Sequence, residues 1–187
     1  MSNKIVITEP VPAIGCGGSF KTAESVFPLL SPKIEGSWSW SSEFRWKQPS
    51  DSNPSVTKLE FMSAVIHFIT SFEEAKTYVG DLLAGRGPGE CPPNHVGSHD
   101  YSKHARCILF GRGYTEEQVR EIHSLHGGKG VDGPVAWIAG DPTVGPPPNP
   151  GPGGYGPGFA EKAAESVKEA LSKWIENGAQ SEEIIWY

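Results

Sequence analysis

The sequence predicts an α/β sandwich of three layers around a mostly parallel sheet of four or five strands. Three observations predict it. The stretch from Ala105 to Pro142 reads as strand, helix, strand. Its first apolar run, Cys107-Ile-Leu-Phe110, stops at Gly111 and Gly113, and a helical period runs from Thr115 to His126. A second apolar run, Pro134 to Gly140, closes the unit. Further on, an amphipathic helix from Phe159 to Asn177 is followed by the short apolar run Glu183 to Tyr187. Buried strands alternating with helices imply parallel pairing and right-handed crossovers, a Rossmann-like arrangement.

The elements follow in chain order. Lys4-Ile-Val-Ile-Thr8 is expected as a first strand, ended by Pro10, which lacks a ladder donor. Val11 to Phe20 is rich in Gly and Pro and reads as a loop. Thr22 to Leu30 suits a short helix, with Pro28 disturbing its last turn. In the stretch from Trp38 to Trp46, Trp38, Trp40, Phe44 and Trp46 alternate with more polar residues. Period two predicts a half-buried strand with one aromatic face. That face is either core or the wall of a pocket, with Trp40 as a candidate ligand contact.

Val65 to Ile69 is expected as a strand, because Ser71-Phe-Glu-Glu74 then caps a new helix running to about Ala84. Gly85 to Lys103 reads as a loop. Thr115 and Gln118 form a second capping box, and Val119, Ile122 and Leu125/His126 share one face. Pro142 to Gly158 holds seven Pro and six Gly in 17 residues, which excludes a regular element. A loop of that length after a central strand suits a cover over a site. In the helix from Phe159, the apolar stripe is Phe159, Ala163, Val167, Ala170/Leu171 and Trp174, and Asn177-Gly178 ends it.

Composition narrows the function classes. A chain of 187 residues suits one domain, residues 1–187. A net charge of −6 without a basic run argues against nucleic acid. No apolar stretch reaches the roughly 18 residues of a membrane span. The first residues turn polar too quickly for a signal peptide. Cys16, Cys91 and Cys107 are an odd count without framework spacing, as expected in a reducing, cytoplasmic setting.

The run Cys107-Ile-Leu-Phe-Gly-Arg-Gly-Tyr-Thr115, the run Val135-Ala-Trp-Ile-Ala-Gly-Asp141, the segment Gly156-Pro-Gly-Phe-Ala-Glu161 and the terminal Ile185-Trp-Tyr187 carry a resemblance. Together they resemble small Rossmann-like proteins of filamentous fungi encoded beside polyketide synthases. The resemblance covers the C-terminal half. It implies polyketide release and ring closure of the α-pyrone-forming type. That is a cyclase or lactonising enzyme without a cofactor, acting on a polyketide-like substrate, with a polyketide synthase as a partner.

The site residues are read from topology. Parallel sheets bind ligands beyond the carboxyl ends of their strands. Gly111-Arg112-Gly113-Tyr114 leads from a strand into a helix amino end, where N–H groups are unsatisfied. Gly111 and Gly113 let a ligand approach, Arg112 adds charge and Tyr114 adds a hydroxyl, a set suited to an oxyanion. Asp141 and His104 are the candidate acid and base, and Trp137 is a further ligand contact. Asp141 ends one strand and His104 precedes the other, roughly 20 Å apart along a parallel sheet, unless the Gly85–Lys103 loop folds over.

Other chemistries are weighed against this. A nicotinamide cofactor needs G-x-G-x-x-G directly after a strand. Gly15-Cys-Gly17-Gly18 starts six residues past Glu9 and lacks the third glycine, and after Gly111 and Gly113 that place holds Glu116. His95, His99 and His104 with Cys91 and Asp100 supply zinc donors, but Pro92, Pro93 and Gly97 prevent a shared helical face, and no metal is expected. A nucleophile is sought at Cys16 or Cys91; Cys16 sits among glycines that would expose it, but no neighbouring cation lowers its pKa. An NAD(P)-dependent oxidoreductase and a non-catalytic, product-binding partner of a synthase remain the alternatives.

Overall fold

The computed structural model describes residues 10–30, 63–90, 94–144 and 156–187. The expected strand at Lys4–Thr8 and the aromatic stretch Trp38–Trp46, with Trp40, lie outside the described residues. So does most of the Pro/Gly segment that the sequence assigns as a cover. Among the described residues, no helix is long and apolar enough to cross a membrane.

Among the described residues, five strands form one sheet in the order β2-β1-β3-β4-β5, and every pair is parallel. The strands are β1 (Val11–Cys16), β2 (Ser63–Ile69), β3 (Cys107–Phe110), β4 (Ala136–Ala139) and β5 (Ile184–Trp186). The helices between them are α1 (Phe20–Leu30), α2 (Phe72–Leu83), α3 (Glu116–His126) and α4 (Phe159–Glu176). This is a Rossmann-like three-layer sandwich in the flavodoxin-like doubly wound order. Both expected capping boxes form, at Ser71–Glu74 on α2 and at Thr115–Gln118 on α3.

One expectation is corrected. Val11 to Cys16, read as loop, is the strand β1, paired on both sides. Its Pro12 stands near the entry of the strand, and its carbonyl accepts from Arg106 N–H at 2.8 Å. Gly15 is tolerated for space: a Cβ there would lie 2.4 Å from the Phe27 ring. Burial on both faces outweighs the poor strand propensity of Pro and Gly here.

Alternation along the strands splits the core into two layers. Ile14, Ile108, Phe110 and Trp137 pack under α2 and α3. Ala13, Leu109 and Ile138 pack under α1 and α4. The placement of α4 is the unusual feature. Helices α3 and α4 both step the same way across the sheet, from β3 to β4 and from β4 to β5, yet they lie on opposite faces. The first three crossovers therefore share one hand and the last has the other. With the first three right-handed, as parallel crossovers almost always are, β4–α4–β5 is left-handed. The long connection after β4 gives the chain the length to reach the α1 face, and α4 then packs beside α1.

Residues 96–99 line the outer edge of β2. Ser98 and His99 N–H donate to the carbonyls of Val65 and Ile66 at 3.0 and 2.9 Å, which covers that sheet edge.

Candidate functional site

From β1 the chain moves out to β2 on one side and returns to β3 on the other, so the carboxyl ends of β1 and β3 flank the switch point. Gly17-Gly18-Ser19 leaves β1 for α1, and Gly111-Arg112-Gly113 leaves β3. Gly111 N–H donates to the Cys16 carbonyl at 2.8 Å, which holds the two turns side by side. Beneath them lies a cavity of about 660 Å³ between α1 and α4. Its body is apolar, with Val26, Phe27, Phe68, Leu109 and Val167 in the walls. Its polar lining comprises both turns, Arg112, Tyr187, and Lys162, Glu165, Ser166 and Glu169 of α4. The volume and the uneven polarity are those of a small-molecule site.

Arg112 is positioned by packing. A Cβ on Gly140 would lie 2.4 Å from its Cγ, so the Arg112 stem rests on the bare backbone of Gly140. Its guanidinium carbon stands 5.9 Å from the centre of the Tyr187 ring. The carboxylates nearest in sequence are engaged elsewhere, Glu116 with Arg120 at 2.7 Å and Glu117 with Thr115. Among the described residues Arg112 forms no ion pair.

The other sequence candidates separate. Gly111 and Gly113 line the cavity with Arg112. Tyr114 does not: its ring packs edge-on against Phe110 at 5.3 Å in the α2–α3 layer. Its hydroxyl is buried without a hydrogen-bond partner among the described residues, and burial pushes it above the usual phenol range. Trp137 is fully buried in that layer, stacked on Phe110, and is a core residue rather than a cavity wall. A strand's side chains alternate between faces, so Trp137 and the cavity lie on opposite sides of the sheet.

Asp141 stays at the carboxyl end of β4, but its Oδ1 accepts from Thr143 N–H at 2.8 Å and Thr143 Oγ1 at 2.7 Å. Those bonds, with the Arg112 charge, hold its carboxyl below the usual range, and it opens the turn at Pro142. It is not a wall of the cavity. His104 lies before β3, at the opposite end of the sheet, with Nδ1 3.0 Å from Asp132 Oδ2. The expected acid and base therefore do not share a site. The histidines weighed for zinc also diverge: His95 meets Glu24, His104 meets Asp132, and the His99 ring lies 5.7 Å from that of His67. Among the described residues no group of three or more metal-ligating side chains converges. The Cys16 thiol is buried and pushed well above its usual range by desolvation, so it is no nucleophile.

Sequence reasoning missed Gly17, Gly18, Ser19, Lys162 and Tyr187. The signal for the first three was partial: Gly17-Gly18-Ser19 directly follows a strand, but only once β1 is placed by its neighbours. Gly15-Cys-Gly17-Gly18 still departs from the dinucleotide fingerprint, since Phe20 stands in the place of the third glycine. The Phe20 ring packs edge-on against Phe68 at 5.6 Å, filling space that the fingerprint keeps open. Comparison of the chain with protein-family models, with curated proteins and with solved structures finds no match in any of the three.

Proposed function

We propose that this chain binds a small, largely apolar molecule bearing one acidic group in the cavity between α1 and α4. The observation that carries the reading is the cavity itself: a largely apolar space of about 660 Å³ lined also by Arg112, which forms no ion pair among the described residues. The resemblance of the C-terminal half assigns the ligand to the polyketide-like class. The reaction it suggests is ring closure without a cofactor: an enolate oxygen of a linear thioester attacks the thioester carbonyl, the C–O bond of the lactone or pyrone forms, and the C–S bond breaks to release the thiolate. In that reaction Arg112 stabilises the oxygen that turns negative, as a preorganised charge does in acyl transfer. Neither Asp141 nor His104 lines the cavity, so the enol proton passes to solvent and the released thiolate takes one back, while the protein's part is to hold the chain folded and neutralise the enolate. A cytoplasmic setting beside a polyketide synthase belongs to the same proposal. The thiols of Cys16 and Cys107, free and buried, fit it.

The test uses purified protein. Calorimetric titration with triacetic acid lactone measures binding, and absorbance follows ring closure of a linear triketide thioester. Binding that Arg112→Gln weakens supports the cavity reading, and accelerated closure supports the enzyme. Binding without acceleration leaves a product-binding protein. Absence of both sinks the proposal.

A nicotinamide or other nucleotide is the second reading. The observation that favours it is the strand–glycine turn–helix order at Cys16 to Phe20, at the switch point of the sheet. The departure at Phe20 counts against a dinucleotide. Titration with NADPH in the same calorimeter separates the two.

A further inference from the structure

We infer that the acidic group this cavity is built to hold is a phosphate ester, seated between the β1–α1 turn and the β3–α3 turn. The inference rests on the reading of the cavity as a small-molecule site, but not on ring closure.

The first argument is the number of donors. The backbone N–H groups of Gly18, Ser19, Arg112 and Gly113 find no acceptor among the described residues. All four residues line the cavity. Gly17 and Gly111 differ, since their N–H groups are used to tie the turns to Ile69 and Cys16. To the four amides the lining adds the guanidinium of Arg112 and the ammonium of Lys162, neither in an ion pair among the described residues, beside the carboxylates of Glu165 and of Glu169, the latter paired with Lys173 at 2.8 Å. A carboxylate has two acceptor oxygens with about four lone-pair sites, two of which a bidentate arginine occupies, fewer sites than four amides and two cations call for. A phosphate monoester offers three oxygens and close to two negative charges. A mouth with this many donors suits the second.

The second argument is the use of glycine. Neither Gly18 nor Gly113 has a positive φ, so neither conformation calls for glycine. A Cβ on either would meet nothing within 4 Å. Inside the chain, glycine at these two places only adds to the entropy lost on folding. Bare backbone at the mouth of a cavity has a use where an anion must come down onto N–H groups, as in phosphate-binding turns.

The third argument is the charge of the two helix ends. Helix α1 has no acidic residue in its first turn, and Ser19 Oγ caps it at Thr22 N–H. Helix α3 begins with Glu116 and Glu117 and is closed by its capping box. An anion therefore lies toward α1 and reaches the β3 turn through Arg112 and Gly113, a shift from the α3 end expected from the sequence. The ester group of the ligand then points down between Phe27 and Val167, where the walls are apolar.

Three probes with one aromatic body test this: 1-naphthyl phosphate, 1-naphthoate and 1-naphthol. Each is titrated calorimetrically, and amide shifts are followed by NMR. The expected result is binding of the phosphate at least tenfold tighter than the carboxylate, with naphthol weakest. The amides of Gly18, Ser19, Arg112 and Gly113 should shift most, and inorganic phosphate should compete. Gly18→Val, which places a side chain in open space and spares the fold, should abolish the preference for phosphate and keep naphthol binding. Equal binding of phosphate and carboxylate, or a preference that survives Gly18→Val, overturns the phosphate assignment and leaves the cavity reading standing. Failure of all three probes overturns both.

Discussion

The guanidinium carbon of Arg112, from the end of β3, lies 5.9 Å from the centre of the Tyr187 ring, the last residue of the chain. Tyr187 is held in turn by β4: its N–H donates to Ala139 and its carbonyl accepts from Asp141 N–H, at 2.9 and 2.8 Å. The aromatic face and the bare Gly140 backbone thus fix one cation at the cavity mouth. Arg112→Gln should weaken an acidic ligand by about 10- to 100-fold, the loss expected for a charge-assisted contact, with the melting temperature nearly unchanged. Gly140→Ala should displace the Arg112 stem and weaken the same ligand while Arg112 remains present. Calorimetry on the two variants checks both. Full affinity in Gly140→Ala would show that Arg112 does not need its seat.

Gly15 and Phe27 form a pair across β1 and α1. A Cβ on Gly15 would lie 2.4 Å from the Phe27 ring and 3.1 Å from Phe68. Gly15→Ala should therefore destabilise the fold by about 1–3 kcal/mol through overpacking. Phe27→Leu combined with it should recover part of that loss. A double-mutant cycle by urea denaturation measures the coupling, and strict additivity would refute the contact.

Trp137 behaves as core. It is fully buried, stacked 6.1 Å from Phe110 and edge-on to His123 at 4.8 Å, with its indole N–H unpartnered among the described residues. Trp137→Ala should cost about 3–5 kcal/mol. Trp137→Phe should cost less, because a phenyl ring leaves a smaller cavity and no unsatisfied donor. Ligand affinity per folded molecule should hold in Trp137→Phe, and a selective loss of binding would return Trp137 to the site.

His67 predicts an acid-sensitive fold. It is 2% exposed in β2, under the 94–101 segment, with Nδ1 2.9 Å from the Tyr101 hydroxyl. Desolvation by burial, then the charge of His99, lower its pKa from 6.5 to about 4, against the smaller opposing effect of Glu74. The unfolded chain binds the proton more readily, so stability is fully present above about pH 6.5. It is lost as pH falls toward 4, by up to about 3 kcal/mol. Chemical denaturation at pH 7 and pH 4.5 should show the slope, and His67→Phe should flatten it. An unchanged slope in that variant would place the sensitivity elsewhere.

Local signals in the sequence determined most of the elements. Ser71–Glu74 and Thr115–Gln118 satisfy backbone N–H groups within one turn, so α2 and α3 start where the residues say they start. The stripe Val167, Ala170, Leu171 and Trp174 marks the buried face of α4 for the same reason: its period is a property of the helix alone. What only the tertiary structure decided is non-local. Val11–Cys16 contains Pro12 and Gly15 and looks like loop in isolation. It becomes the strand β1 because β2 and β3 hydrogen-bond it from both sides and Phe27 fills the space Gly15 leaves. The side of the sheet taken by α4 is likewise written in no periodicity. It is set by which apolar face remains uncovered beside α1, and it puts Lys162 over the cavity and leaves Tyr114 and Trp137 on the opposite face. Arg112, Gly111 and Gly113 were legible because a strand end and a helix start are neighbours in sequence. Gly18, Ser19 and Tyr187 were not, because strand order alone brings their segments to the same mouth.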